Sequence, residues 1–197
     1  ISSSEHRTAL EGMVAATRLN RSDLASNIAK KLGVGDPVLH HTAFQCLAKL
    51  EASTACFEVI DTVDALEMQR DGAFLALMRM HKAEVVAGLV KRLAQEQTIE
   101  KKKGILSTLC RLHSKEGDWK RDSWGTRPDN RGPYYQPEPW EQTSTITSVL
   151  QSHLSHASRE EAAHLVAEMN RNRIQSQEAL TRIIELAKSD TSLIPEA

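Results

Sequence analysis

Apolar residues recur at helical spacing along most of this chain. Four stretches follow the i, i+3, i+4, i+7 pattern, which places their members on one face of an α-helix. These stripes are Leu10, Met13, Val14 and Thr17; Val86, Leu89, Val90 and Leu93; Ala162, Leu165, Val166 and Met169; and Leu180, Ile183, Ile184 and Ala187. No segment alternates between apolar and polar residues as a half-buried strand does. The pattern therefore predicts an all-α fold of amphipathic helices.

Helix start signals stand beside several of these stretches. Asp36 precedes Pro37, which is the arrangement of an N-cap followed by proline at the first helical position. Ser158 and Glu161 have the spacing of a capping box. Both signals lie where the apolar pattern needs a helix to begin, so they support the predicted helices.

A longer pattern recurs three times along the chain. Its members are Ala43, Phe44, Leu47 and Leu50; Ala73, Phe74, Leu77 and Met80; and Ile105, Leu106, Leu109 and Leu112. The central leucines Leu47, Leu77 and Leu109 are 30 and 32 positions apart. Such a period, with room for a second helix in each unit, is typical of helical repeats that stack on one another. The chain thus resembles an α-solenoid of the HEAT or armadillo type, with residues 1–197 as a single domain of stacked helical pairs. An ordinary helical bundle satisfies the same pattern and stays an alternative.

One stretch, about residues 114–142, interrupts the helical pattern as an insertion. It contains all three Trp, both Tyr and four of the six Pro of the chain. Proline removes a backbone donor and fixes φ, so no regular element is expected to run through this stretch. Five aromatic rings in a segment of balanced charge can bury enough apolar area to hold a loop in place. We therefore predict an ordered, anchored insertion and not a flexible linker.

The insertion also carries the candidate binding residues. Tryptophan and tyrosine rings stack on sugars, peptides or bases, while arginine and aspartate side chains orient hydrogen bonds. In the alternative interpretation these side chains brace the loop, with Trp119 or Trp140 packed on the helices and the arginines bonded to insertion carboxylates or carbonyls. Tyr134 and Tyr135 would then remain as the contact site. The candidates are Trp119, Trp124, Arg127, Asp129, Arg131, Tyr134, Tyr135 and Trp140.

The sequence of the insertion resembles a segment of certain large exported bacterial proteins. The likeness lies in the run Trp124-Gly-Thr-Arg-Pro-Asp129, followed by Arg131-Gly-Pro-Tyr-Tyr135 and Trp140-Glu141. Those proteins join a sugar-dehydrogenase-like β-propeller, a HEAT-repeat region and a c-type haem domain with a Cys-x-x-Cys-His motif. The resemblance implies a middle segment of an exported or periplasmic bacterial membrane-bound dehydrogenase. The absence of an initial Met also favours a piece of a longer protein. Because the chain has no Cys-x-x-Cys-His, haem binding and dehydrogenase chemistry carry over to no residue here.

Charge argues against nucleic-acid and membrane partners. The formal net charge is −1 and the isoelectric point about 6.8. A nucleic-acid surface needs a basic stripe, and the run Lys101–Lys103, after the expected N-cap Thr98, is interpreted as a solvated helix face. No apolar run reaches the roughly 18 residues of a membrane span. We expect neither nucleic-acid binding nor direct membrane insertion.

Cysteine and histidine residues offer few candidates for a metal or cofactor. Cys46, Cys56 and Cys110 form no Cys-x-x-Cys pair and are interpreted as small core residues. His153 lies on an apolar stripe near His156, where a core histidine bonded to a carbonyl is the expected state. We therefore predict no bound zinc or haem and no cofactor. His113, at the start of the insertion, is a candidate to hold one of its carbonyls.

The residues thus favour a non-catalytic scaffold or protein-binding module. Its expected partners are other domains of the same polypeptide or another protein, with a saccharide as a second candidate ligand. The chain has no Gly-x-Ser-x-Gly motif and no glycine-rich phosphate loop, so no catalytic residue is assigned. A carbohydrate-binding or carbohydrate-active site on the insertion stays open as an alternative. A HEAT-like DNA glycosylase, which lines a concave face with Trp, Arg and Asp, is disfavoured by the chain's charge.

Overall fold

A computed structural model describes residues 5–121, 132–177, 181, 182 and 184 of the chain. Helices dominate this part of the protein, so the all-α prediction is confirmed. The α-helices are α1 (His6–Arg18), α2 (Ala25–Ala29), α3 (Pro37–Lys49), α4 (Ser53–Asp61), α5 (Glu67–Leu77), α6 (Ala83–Gln95), α7 (Ile99–Leu112), α8 (Thr143–His156) and α9 (Arg159–Arg171). Short 3-10 turns at Ser22–Leu24 and Lys30–Gly33 flank α2. Two antiparallel strands of two residues, β1 (Lys115–Glu116) and β2 (Pro137–Glu138), form a small ribbon.

The chain divides into two compact units, Ile1–Gly88 and Leu89–Ala197, with the boundary inside α6. In the first unit, α3 packs against both α1 and α5, and α4 packs against α2 and α5. In the second unit, α7 packs against α8 and α9. The helices that pack together within each unit are thus neighbours or next neighbours along the chain. The single-domain organisation stays a prediction.

The recurring apolar positions form the cores of the two units. Phe44, Leu47, Phe74 and Leu77 are buried in the first unit. Leu106 and Leu109 are buried in the second. The remaining members of the pattern are buried too: Ala43, Leu50, Ala73, Met80, Ile105 and Leu112. Burial of these positions is therefore as predicted.

Helix α1 buries a different face from the one its stripe predicts. Ala9, Met13 and Ala16 are buried, whereas Leu10 and Val14 are only half-buried. The small side chains of the two alanines allow a close approach on the packed face, and such residues contribute little to a pattern based on large apolar side chains. The stripe containing Val86 and the stripe containing Leu165 are mostly buried, as expected. Most of the stripe near residues 180–187 lies outside the described residues.

The predicted helix caps are present, with one difference. The Asp36 carboxylate accepts hydrogen bonds from the backbone N–H groups of Val38 and Leu39 at 2.8 and 3.1 Å. The Ser158 hydroxyl accepts from the Glu161 N–H at 3.3 Å, and Glu161 accepts from the Ser158 N–H at 3.0 Å, completing the capping box. Thr98 occupies the N-cap position of α7, but its side chain makes no capping bond.

Candidate functional site at the base of the aromatic insertion

The segment between α7 and α8 leaves and re-enters the helices through the β1–β2 ribbon. Lys115 lies opposite Glu138, and Glu116 opposite Pro137. The expectation that no regular element runs through the insertion is therefore wrong at its base. A two-residue pairing needs few backbone donors, and Pro137 can stand in a strand whose outer edge is unpaired. The ribbon holds two limbs of the insertion side by side: the outgoing limb, which contains β1, and the returning limb, which contains β2.

Glu116 adds a second clamp to the ribbon. Its carboxylate accepts hydrogen bonds from the backbone N–H groups of Tyr135 and Gln136 at 2.9 and 2.7 Å. The Gly117 N–H donates to the Gln136 carbonyl at 2.8 Å. A Cβ at Gly117 would lie 2.6 Å from Glu138 Oε1 and 3.0 Å from the Gln136 carbonyl oxygen, so the limbs are close-packed there. Hydrogen bonds from two backbone N–H groups to a charged carboxylate are stronger than bonds between neutral groups, so Glu116 holds the returning limb firmly.

Trp140 ties the returning limb to the end of α7. Its indole Nε1–H donates to the Leu112 carbonyl at 2.6 Å, and Lys115 Nζ lies 4.8 Å from its ring centre. The Trp140 N–H donates to the Thr143 hydroxyl at 2.8 Å, which donates in turn to the His113 carbonyl at 2.7 Å. These bonds satisfy carbonyl groups that the end of α7 leaves without a helical partner.

His113 joins the end of α7 to α8 and to Ser114, the first residue of the insertion. Its Nε2 lies 3.0 Å from the Thr147 hydroxyl and its Nδ1 3.0 Å from the Ser114 hydroxyl. Since the Thr147 hydroxyl donates to the Thr143 carbonyl at 2.9 Å, it accepts from an Nε2–H on His113. Burial lowers the pKa of His113. The predicted bond to an insertion carbonyl is absent from the described residues.

Arg111 makes the contact that was expected of His113. Its Nη1 donates to the Gly132 carbonyl at 2.5 Å, and its guanidinium carbon lies 3.6 Å from the centre of the Tyr134 ring. Burial lowers the pKa of Arg111, while Tyr134 and Glu116 oppose that shift and Arg171 adds to it. The Tyr134 carbonyl also accepts from Arg173 Nη1 at 3.3 Å. Sequence reasoning missed Arg111 and Glu116 because only the fold places them beside the insertion limbs.

The candidate residues differ in their surroundings. Trp119, Trp140 and Tyr134 are half-buried, and Tyr135 is 44% exposed. The Trp119 indole nitrogen is buried without a hydrogen-bond partner. The structure therefore brings together Tyr134, Tyr135 and Trp140 around the clamps at the base. Four candidates lie outside the described residues: Trp124, Arg127, Asp129 and Arg131.

The lysine run of α7 is an ion-pair surface and not the solvated face that was predicted. Lys102 Nζ lies 2.8 Å from Glu161, whose side chain is 9% exposed, and Lys103 Nζ lies 2.5 Å from the exposed Glu160. Both carboxylates belong to the first turn of α9, where negative charge is favoured by the helix dipole. The bond from Lys102 lowers the pKa of Glu161 to about 2, a shift to which Ser158 also contributes. The lysines thus fasten α7 to α9.

His153, His164 and the three cysteines lie in structural surroundings. His153 Nε2 is buried without a hydrogen-bond partner, so the expected bond from that atom to a carbonyl is missing, and burial lowers the pKa of the ring. His164 Nε2 lies 2.9 Å from the Ser107 hydroxyl and 3.2 Å from the Lys103 carbonyl. All three cysteines are buried with free thiols, as predicted, and burial raises the pKa of Cys56 to about 12.

Within the described ranges, no cluster of three or more His, Cys, Asp or Glu side chains could hold a metal ion. The helices described there are also too short or too polar to cross a membrane. Comparison of the chain with models of known protein families, with curated proteins and with solved structures found no match.

Proposed function

We propose that this chain is a non-catalytic helical-repeat module of the HEAT type, in which the aromatic insertion supplies a protein-binding surface. The packing of α3 against both α1 and α5, together with the burial of the recurring positions, supports the repeat assignment. By its resemblance to the exported multidomain proteins, the partner is another domain of the same polypeptide, outside the cytoplasm. A saccharide ligand stays the alternative.

One observation carries the binding role: the insertion is fastened at its base while the Tyr135 ring stays 44% exposed. The Glu116 carboxylate binds the Tyr135 N–H, and Trp140 binds the end of α7. The backbone that carries the ring is thus held before any partner arrives. An aromatic side chain on a pre-ordered backbone loses little conformational entropy on binding, which is the usual property of an interface anchor.

A photo-crosslinking experiment tests this function. The photoreactive residue benzoylphenylalanine replaces Tyr135 in the longer polypeptide that contains the neighbouring domains, and a second sample carries it at Val63. Val63 is 84% exposed and lies in the first unit, so it controls for exposure alone. We expect position 135 to label a neighbouring domain and position 63 not to.

Equal labelling at the two positions, or no labelling at position 135, would contradict the protein-binding role. Transfer of label from position 135 to an added oligosaccharide, and not to protein, would favour the saccharide alternative. Purified Tyr135→Ala protein should melt at the temperature of the parent, because the exposed ring contributes little to the core.

A further inference from the structure

Basic side chains from two helix ends converge on Tyr134 in the second unit. Arg111 lies in the last turn of α7 and stacks on the Tyr134 ring. Arg171 ends α9, and Arg173, two residues later, donates from its Nη1 to the Tyr134 carbonyl at 3.3 Å. Tyr135, with its exposed ring, is the next residue along the insertion. Arginine side chains therefore contact the insertion at Tyr134, directly beside the exposed Tyr135 in the chain.

We propose that Arg171 and Arg173, together with Tyr135, bind an acidic peptide segment of the partner protein, an inference that rests on the protein-binding function proposed above. The two guanidinium groups bind side-chain carboxylates, and the Tyr135 ring contacts an apolar side chain between them. We name the residues Arg171, Arg173 and Tyr135 the arginine surface.

Arg171 is placed to accept a second carboxylate. Its only carboxylate contact among the described ion pairs is with Glu168, 3.6 Å away, and its side chain is 66% exposed. The other nearby acid that acts on this cluster, Glu116, already accepts two backbone N–H groups. The long contact with Glu168 and the high exposure leave guanidinium donors on Arg171 facing solvent.

The backbone at Arg173 gives an independent reason to look for a role. Arg173 has φ 58°, in the left-handed region that favours glycine, at the turn that ends α9. The turn is closed by the Ile174 N–H, which donates to the Met169 carbonyl at 2.8 Å. The helix dipole accounts for cations at the ends of α7 and α9. It does not account for a large side chain at this turn position, where glycine is less strained.

The choice of a peptide follows from the charge and shape of the arginine surface. The whole chain carries a net charge of −1, so a general field does not attract acidic molecules and the local arginines must do so. The two guanidinium groups stem from separate positions, with an exposed ring beside them. A peptide can present two carboxylates and an apolar side chain at such separate points, and arginine binds carboxylates through paired donors.

Fluorescence anisotropy with a labelled peptide tests the proposal. The probe is a ten-residue peptide in which one Tyr is flanked by Glu residues, and its control contains Gln at every Glu position. Arg173→Gly is the main variant, because glycine suits the left-handed turn. Since it also removes the donor to the Tyr134 carbonyl, the second variant is Arg171→Gln, which keeps that bond and so separates loss of charge from loosening of the insertion. Arg18→Gln is the matched control, since Arg18 also ends a helix, α1, but lies in the first unit.

We expect the Glu peptide to bind and the Gln peptide not to. Each arginine-surface variant should weaken binding roughly fivefold, as for the loss of one solvent-exposed charge pair, and Arg18→Gln should leave it unchanged. Failure of the Glu peptide to bind, or equal loss with Arg18→Gln, would overturn the proposal. Tighter binding of an oligogalacturonate would overturn it as well, in favour of an acidic saccharide. If the arginine variants bind the Glu peptide normally while position 135 still crosslinks to a protein domain, the arginine-surface proposal fails and the proposed function stands. The two failures are therefore distinguishable.

Discussion

At the scale of single residues, two neighbouring lysines on one helix are expected to contribute differently to stability, because the glutamates they pair with differ in solvent exposure. Lys102 and Lys103 are neighbours on α7, and each pairs with a glutamate in the first turn of α9. The partner of Lys102, Glu161, is 9% exposed, whereas Glu160 is 62% exposed. Water therefore screens the second pair more than the first.

We predict that Lys102→Gln destabilises the protein by about 1–3 kcal/mol, because it leaves the nearly buried Glu161 carboxylate without its cation. Lys103→Gln is the matched control and should cost about 0–1 kcal/mol, as exposed pairs do. Urea unfolding at pH 7 measures both values. Equal effects of the two variants would show that burial of Glu161 does not decide the strength of its pair.

The same pair gives the stability a defined pH dependence. The pKa of Glu161 is about 2 in the folded protein against an ordinary 4.5, so its contribution is present above pH 4.5 and lost as pH falls towards 2. In Lys102→Gln this loss should begin at the same pH but be smaller and end at a higher pH, because the folded pKa of Glu161 is then less depressed. His113 and His153, whose pKa values burial lowers from 6.5, add a second loss as pH falls below 6.5. Melting temperatures measured between pH 8 and pH 2 check both windows.

At the scale of elements, the base of the insertion depends on a few side-chain bonds to helix ends and strand backbones. The β1–β2 ribbon has only two residues in each strand, too few to be stable without help. Glu116, Arg111 and Trp140 provide that help. Removing one of these bonds should loosen the insertion while the helices remain folded.

Trp140→Phe tests this dependence, because it removes the Nε1–H donor to the Leu112 carbonyl and keeps an aromatic ring. We expect faster tryptic cleavage after Lys120 and Arg121 and a loss of about 1–3 kcal/mol in the free energy of unfolding. Trp119→Phe is the control, since its Nε1 has no hydrogen-bond partner to lose. Its cleavage rate and stability should be close to those of the parent. If both variants are cleaved at the same rate, the Trp140 bond does not anchor the insertion.

At the scale of the whole molecule, the apolar cores of the units supply most of the stability. Leu77 in the first unit and Leu109 in the second are fully buried members of the same recurring pattern. If residues 1–197 fold as a single domain, damage to either core lowers the stability of both units. If the units are independent, the damage stays local.

Leu77→Ala should cost about 2–5 kcal/mol through lost burial and the cavity left behind. Under the single-domain prediction, hydrogen exchange accelerates in α7 and α9 as well as in α3 and α5. Val63→Ala, at a position 84% exposed, is the control and should change stability by less than about 0.5 kcal/mol. Acceleration confined to the first unit would contradict the single-domain prediction, and an unchanged melting temperature would contradict the burial of Leu77.

The sequence by itself determined the helical class, the recurring core positions and the caps at Asp36 and Ser158. These features depend on local spacing, and a residue three or four positions away lies on the same helix face wherever the helix packs. The insertion was recognisable for the same reason, because proline and glycine act on their own backbone.

Only the tertiary structure decided which partners the polar side chains found. Glu116 meets the backbone N–H groups of Tyr135 and Gln136, and Lys102 meets Glu161, across separations of 19, 20 and 59 residues. Arg111 stacks on Tyr134 because α7 ends where the insertion returns. The buried face of α1 was also decided by packing, since two alanines lie against its neighbour in place of larger residues. Contacts between distant segments depend on how the helices come together, and no periodicity along the chain encodes that arrangement.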